Sequence, residues 1–190
     1  MPMTRRLFAL ALVLLFALLP VRAEGTAAGY LNGREVFRVS YDEKLLTLDS
    51  EYYRHESTED YFWQFILYND FISVDCGIDV TSGDKSLFGM QPDEVDEYGL
   101  SLRNMYDGIG YTGEYLGAKY VPVTDGGRRA YVPFVMIRLS KAGEPDGYYA
   151  ETVAHGYAIW FDCAREDRTV SDADALKLLE TLLNSFTPVL

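Results

Sequence analysis

Ile72-Ser73-Val74-Asp75-Cys76-Gly77-Ile78-Asp79 alternates apolar with polar or small residues without a break. Side chains along a strand point to opposite faces with a period of two. Ile72, Val74, Cys76 and Ile78 therefore share a face that must be buried, while Ser73, Asp75, Gly77 and Asp79 share the other. Upstream, residues 62–68 are aromatic and apolar, and Asn69-Asp70 supplies turn residues. Residues 61–68 and 71–80 thus predict an antiparallel hairpin.

Downstream of this hairpin the period changes. Pro92 suits the first position of a helix, and Asp93, Glu94, Asp96 and Glu97 suit its electropositive end. Residues 92–106 predict a helix with Val95, Tyr98, Leu102, Met105 and Tyr106 on its inner stripe. Gly99 weakens it, and Gly108, Gly110 and Gly113 stop it. Strands follow over residues 115–123 and 130–139, joined by Thr124-Asp125-Gly126-Gly127. The second of these is nearly all apolar, which predicts a central strand covered on both faces. A further hairpin runs from Tyr148–Ala154 to residues 157–164 through His155-Gly156. The chain closes on Ser171-Asp172-Ala173-Asp174, which resembles a capping box. Ala175, Leu178, Leu179, Leu182, Leu183 and Phe186 then form an apolar stripe at helical spacing. The expected class is α+β, an antiparallel sheet of about six or seven strands covered by helices.

Working back from the hairpin, residues 35–41 alternate as a strand, and residues 24–33, with Gly25, Gly29 and Gly33, read as a flexible leader. The first 23 residues combine Arg5-Arg6, an apolar run of 13 residues from Leu7 to Leu19, and Val21-Arg22-Ala23. These are the parts of a signal peptide, expected to be cleaved after Ala23. The run is shorter than the roughly 20 residues a bilayer-spanning helix needs. The expected layout is a signal peptide at 1–23, a leader at 24–33 and one domain at 34–190, soluble and secreted or otherwise extracytoplasmic. Removing the signal deepens the net charge from −12 to −15. Nucleic acid and anionic lipid require a basic footprint, so neither is an expected partner.

Short motifs accompany this element order. They are Phe37-Arg38-Val39-Ser40-Tyr41-Asp42, Val132-Pro133-Phe134-Val135, Tyr148-Tyr149-Ala150-Glu151-Thr152, Gly156-Tyr157-Ala158-Ile159-Trp160-Phe161 and the terminal Phe186-Thr187-Pro188-Val189-Leu190. With the acidic helix between them, the chain resembles the Mog1/PsbP-like family, and its small secreted bacterial members in particular. The resemblance implies an α/β/α sandwich around an antiparallel sheet. It also implies binding or assembly work rather than catalysis, as in the family's photosystem subunits and its nuclear-transport GTPase cofactor. It carries no catalytic motif onto any residue of this chain.

The residues themselves offer several candidates. Cys76 and Cys163, the two cysteines, fall on the apolar faces of their strands. In an exported protein they can pair, closing a loop whose cross-link stabilises by about 3–4 kcal/mol, or stay as buried thiols. No ligand spacing supports a metal site, and no cofactor is expected. A Ser-His-Asp or Cys-His site must use His55 or His155, and no serine sits in a G-x-S-x-G elbow. Asp75 and Asp79 share a strand face, and paired carboxylates can hydrolyse glycosides at the right separation. Among 15 Tyr, 10 Phe and two Trp, the residues Tyr52, Tyr53, Tyr61, Trp63, Tyr148 and Trp160 can line an amphipathic recognition surface, with His155 beside them. Trp160 becomes core if helices cover both faces. The leading expectation is a non-enzymatic binding or accessory module for a protein, a cell-envelope component or a small ligand. An extracellular hydrolase using acidic residues or His155, and a structural subunit of a surface complex, are the alternatives.

Overall fold

The computed structural model describes residues 24–50, 61–81, 86–125, 127–166 and 168–189. Its strands are β1 (Glu24–Leu31), β2 (Arg34–Asp42), β3 (Thr47–Asp49), β4 (Tyr61–Tyr68), β5 (Ile72–Val80), β6 (Thr112–Asp125), β7 (Arg128–Ser140), β8 (Gly147–Ala154), β9 (Tyr157–Arg165) and β10 (Thr187–Pro188). Helix α1 spans Pro92–Gly108 and helix α2 spans Asp172–Asn184. Seven strands form one antiparallel sheet in the order β3-β4-β5-β9-β8-β7-β6, and β1, β2 and β10 form a second, smaller sheet. The class is α+β, with the large sheet between two layers.

One layer is α1. Its inner face carries Val95, Gly99 and Leu102, which are buried, together with half-buried Tyr98 and Tyr106. Met105, expected on this stripe, is 52% exposed. It sits about 100° around the helix from Tyr106, away from the sheet. Gly99 is a packing residue as much as a weak helix former. The Tyr115 ring of β6 lies over it, where a Cβ would collide, and the Tyr115 hydroxyl donates to Asp96 Oδ1 at 2.7 Å. Pro92 opens the helix, and Gln91 N–H donates to Glu94 Oε2 at 2.9 Å.

The opposite layer combines α2 with the small sheet. Phe37 and Val39 of β2 and Leu179, Leu182 and Leu183 of α2 pack on Phe65, Val74, Cys76, Phe161 and Cys163. Ser171 caps α2, accepting from Asp174 N–H at 3.2 Å and donating to its Oδ2 at 2.6 Å. At the other end, Ser185 Oγ accepts from Ser40 N–H at 2.8 Å and donates to Leu182 O at 2.7 Å, which ties the helix to β2.

Two expectations change. Residues 24–31 are not a loose leader. They form β1, paired with β2 through a turn at Asn32 (φ 51°) and Gly33 (φ 74°). Residues with positive φ at both positions make the tight turn that matches strand twist, and Asn-Gly is its preferred pair. Gly25 and Gly29 face Tyr41 and Phe37 across the ladder, and each ring occupies the space of a Cβ. Second, β7 is not central. It lies next to the edge strand β6, yet Val132–Ile137 are buried throughout because the two layers cover both faces. The 14-residue edge strand β6 carries a bulge between Tyr115 and Gly117 and a proline at Pro122, both of which discourage pairing with another chain.

Candidate functional site

Two places in the fold gather chemistry-bearing side chains. The first is the α1 side of the large sheet. Strand alternation in β5 turns Asp75, Gly77 and Asp79 to this face. Register then aligns Gly77 with Trp160 of β9 and Glu151 of β8, and aligns Asp75 with Asp162 and Tyr149. Trp160 lies flat over Gly77, where any side chain would run into the indole. Its Nε1–H donates to Asp79 Oδ1 at 2.9 Å. Trp63 meets Trp160 edge-on at 5.0 Å, and Tyr149 stacks on its other side at 6.3 Å.

Glu151 is the charged centre of this cluster and is 5% exposed. The Tyr149 hydroxyl donates to its Oε2 at 2.6 Å, and the Tyr98 hydroxyl of α1 donates to its Oε1. Burial pushes the carboxyl above its ordinary value; the two phenols pull it back only in part, and Asp79 adds to the rise. Burial and the facing carboxylate likewise hold the Tyr98 and Tyr149 phenols protonated. Each carboxylate oxygen thus accepts one phenolic O–H. A general acid needs a proton aimed at substrate, and a general base needs a lone pair open to it. Glu151 instead ties α1 to β8.

Asp162 differs. It is partly buried, and burial followed by repulsion from Asp75 raises its carboxyl to about 6. It borders a cavity of about 260 Å³ that Tyr106, Tyr111, Lys141 and Arg165 also line. Among the described residues, no group of three or more His, Cys, Asp or Glu is placed to hold a metal ion, and no helix is long and apolar enough to cross a membrane.

The second place is the seam between the two sheets. An open groove of about 530 Å³ runs between the β1–β2 hairpin and β3–β4. Thr26, Ala28 and Tyr30 come from β1, Asn32 and Gly33 from the turn, Leu48 and Ser50 from β3 and its exit, and Trp63, Gln64 and Phe65 from β4. Gln64 is the residue bulged out of the β4–β5 ladder, and its Oε1 accepts from Tyr30 N–H at 2.6 Å. Nothing in the reading of residues 24–33 as a leader pointed here. The available signal was Asn32-Gly33, a hairpin turn between two alternating runs.

The other sequence candidates do not assemble into one surface. Tyr52, Tyr53 and His55 lie outside the described residues, as does the side chain of Tyr61. Tyr148 and Trp160 are both buried, at 4% and 5% exposure. They also sit on opposite faces of the sheet, since Tyr148 pairs with Cys163 while Trp160 pairs with Glu151. No single surface can present both. Trp63 is half-buried against Trp160. His155 is exposed at the tip of the β8–β9 hairpin with φ 51°, where it shapes the turn with Gly156. Cys76 and Cys163 are free, buried thiols. Cys163 is directly opposite Val74, two residues from Cys76. Such diagonal neighbours lie about 7–8 Å apart, beyond the span of a relaxed disulfide.

No family model matches the chain, and no curated protein matches it. Among solved structures it is similar to the solution structure of cyanobacterial PsbP (CyanoP) from Synechocystis sp. PCC 6803. Identity is 15%, with 90% of this chain and 95% of that chain covered, at a TM-score of 0.49.

Proposed function

We propose that this chain is an exported, non-enzymatic binding module of the Mog1/PsbP-like kind, processed after Ala23 and working in the extracytoplasmic space. The observation that carries the reading is the open groove at the seam of the two sheets. It is concave, in the range of roughly 300–1,000 Å³ typical of ligand clefts, and built on paired strands. Half-buried Asp79 and buried Glu151, by contrast, are engaged in hydrogen bonds with Trp160, Tyr98 and Tyr149, as braces of the fold.

A thermal-shift screen of the chain from Glu24 onward tests this reading. Calcium with a chelator control, sugars, cell-wall fragments and peptides make up the panel. A ligand at about 100 times its dissociation constant adds roughly 2.7 kcal/mol, which raises the midpoint of a domain this size by about 5–10 °C. A shift of that size from one class supports the reading. A flat panel together with turnover of a glycoside or ester substrate overturns it.

One observation favours the hydrolase alternative. Asp162, raised to about 6, faces Asp75 directly across the ladder and borders a cavity. A carboxyl raised by burial and by a facing acid is a candidate for acid–base work. Loss of any measured hydrolysis in Asp162→Asn, with folding intact, would establish that reading.

A further inference from the structure

We infer that the cavity beside Asp162 is a second binding site, one for a primary ammonium group on a small alkyl chain. The site uses no residue of the seam groove, so its failure would leave the binding-module reading untouched.

The cavity, of about 260 Å³, lies where the C-terminal end of α1 meets β9. It is smaller than the roughly 300–1,000 Å³ of a drug-sized pocket, which limits its occupant to a short chain with one polar head. Tyr106 and Tyr111 form one wall. Their rings meet edge to face at 6.1 Å, and Tyr111 N–H donates to Tyr106 O at 3.2 Å, which fixes the pair. Asp162 comes from β9, directly opposite Asp75 of β5 on one side and Tyr149 of β8 on the other. Its carboxyl is almost enclosed by protein, and burial and Asp75 both raise its affinity for a proton.

The charges of the lining are matched in part, and the match leaves one sign over. Among the described residues the lining cations are Arg165 and Lys141. Arg165 is engaged at all three nitrogens, with Nε on Asp146 O at 2.8 Å, Nη1 on Val170 O at 2.9 Å and Nη2 on Asp172 Oδ1 at 2.6 Å. Lys141 pairs with Glu144 at 2.9 Å. Asp162 faces a second acid instead, and a cation placed beside it would relieve that repulsion. An ammonium also supplies three N–H donors to a carboxylate that the fold holds away from water. The net charge of −12 draws cations toward the molecule.

The chain shows the same chemistry once within itself. Lys141 Nζ lies over the Tyr111 ring, 5.6 Å from its centroid, with the exposed Glu144 carboxylate as its counter-charge. An alkylammonium, a tyrosine face and a carboxylate therefore already meet at the rim. Tyr106 and Asp162 offer the aromatic and the acid again, further in. A quaternary ammonium carries the charge but no N–H, so it satisfies the aromatic wall and not the carboxylate.

The test is a heteronuclear NMR titration of the chain from Glu24 onward at pH 8. The probes are n-butylamine, a free amine, and acetyl-Gly-Lys-Gly-amide, which presents a lysine side chain. Butyrate, tetramethylammonium and calcium are the controls, all at matched ionic strength. Probes reach about 10 mM, enough to reveal a dissociation constant near 1 mM. The expected result is movement of the Tyr111, Gly147 and Asp162 backbone amides with at least one amine, while those of Tyr30 and Ser50 in the seam groove stay still. Asp162→Asn is expected to weaken binding about tenfold or more, as loss of a charge-assisted hydrogen bond does. Glu180→Gln removes the same charge from the Lys119–Glu180 surface pair and is expected to change affinity by less than about twofold. Lys141→Gln is expected to tighten binding several-fold, because it takes a like charge from the rim.

The pH profile separates Asp162 from its neighbours. Asp75, Tyr149 and Tyr106 stand around it on β5, β8 and α1, and Lys141, Glu144, Arg165 and Glu166 charge the rim. The ammonium pairs with the ionised carboxyl, whose value is about 6, so affinity is expected to be about tenfold higher at pH 8 than at pH 5. Asp162→Asn is expected to flatten that profile.

A response to either amine that Asp162→Asn abolishes supports the site. Butylamine alone then assigns a free amine, and the peptide assigns a lysine side chain of a partner. Silence from both amines overturns the site, as does a response to butyrate or calcium in their place. An equal response to tetramethylammonium, or amine binding that survives Asp162→Asn unchanged, overturns it as well.

Discussion

Gly29 of β1 lies beneath the ring of Phe37, its direct partner on β2, so closely that a Cβ at Gly29 would fall inside the ring's contact distance. Phe37 in turn stacks on Phe186 at 5.3 Å and meets Phe161 edge-on at 6.0 Å. The glycine is what lets this ring lie flat between the small sheet and the core. Gly29→Ala is therefore expected to overpack the seam and cost about 1–3 kcal/mol. That lowers the thermal midpoint by roughly 2–12 °C. Thermal unfolding checks it, with Gly33→Ala as a contrast. Gly33 has open space around its Cβ position, and its substitution costs only the backbone strain of φ 74°.

Tyr98 bridges helix and sheet through Glu151. Tyr98→Phe leaves Glu151 Oε1 without its phenolic donor inside a buried site, at a cost of about 1–3 kcal/mol. A double-mutant cycle with Glu151→Gln is expected to show a coupling of about 0.5–3 kcal/mol. Urea unfolding measures it, and additive single effects would count against the brace.

Stability is expected to rise as pH falls from 7.5 to 5. Asp162 has its carboxyl raised from 3.8 to about 6 by burial and then by Asp75. A carboxyl with a raised folded value contributes stability that is complete below the unfolded value and is lost as pH rises through the folded one. Glu151, also raised, acts in the same direction. Asp146 has the opposite sign. Burial pushes it up, but bonds from Arg138 and Ser140 outweigh that and hold it below its ordinary value, so its contribution is lost only in stronger acid. Asp162→Asn is expected to raise the midpoint at pH 7.5 and to flatten the slope down to pH 5. A pH series of melts on both proteins decides this.

Both thiols are expected to be unreactive in the fold. Cys76 and Cys163 are buried, and burial pushes the Cys76 thiol well up and the Cys163 thiol up to about 12. A disulfide-exchange reagent at pH 8 is expected to titrate about two thiols per chain only after denaturant is added, since the reactive species is the thiolate. An intact mass lower by two hydrogens, with no thiol released on unfolding, would show a bridge instead.

The elements themselves were legible. The alternation of Ile72–Asp79 marked β5, the stripe from Ala175 to Phe186 marked α2, and Pro92 with its acidic first turn marked α1. Each rests on local periodicity, which survives in a single stretch of chain. Residues 24–33 read as a leader and fold as β1 and its turn because glycine has two meanings. It loosens an isolated segment, but across a ladder it makes room for a ring, and only the partner strand shows which applies.

The sequence alone therefore determined which residues must be buried within each element, and hence the α+β class. The tertiary structure decided which acids are braces, since Asp79 gains Trp160 from β9 and Glu151 gains Tyr98 from α1, beside Tyr149 of its own strand. It also placed Tyr148 and Trp160 on opposite faces, and set Cys76 diagonally from Cys163. It assembled the seam groove from three separate segments, residues 26–33, 48–50 and 63–65. Periodicity records which way a side chain points, whereas register and layer order determine what it meets, and those depend on contacts between residues far apart in sequence.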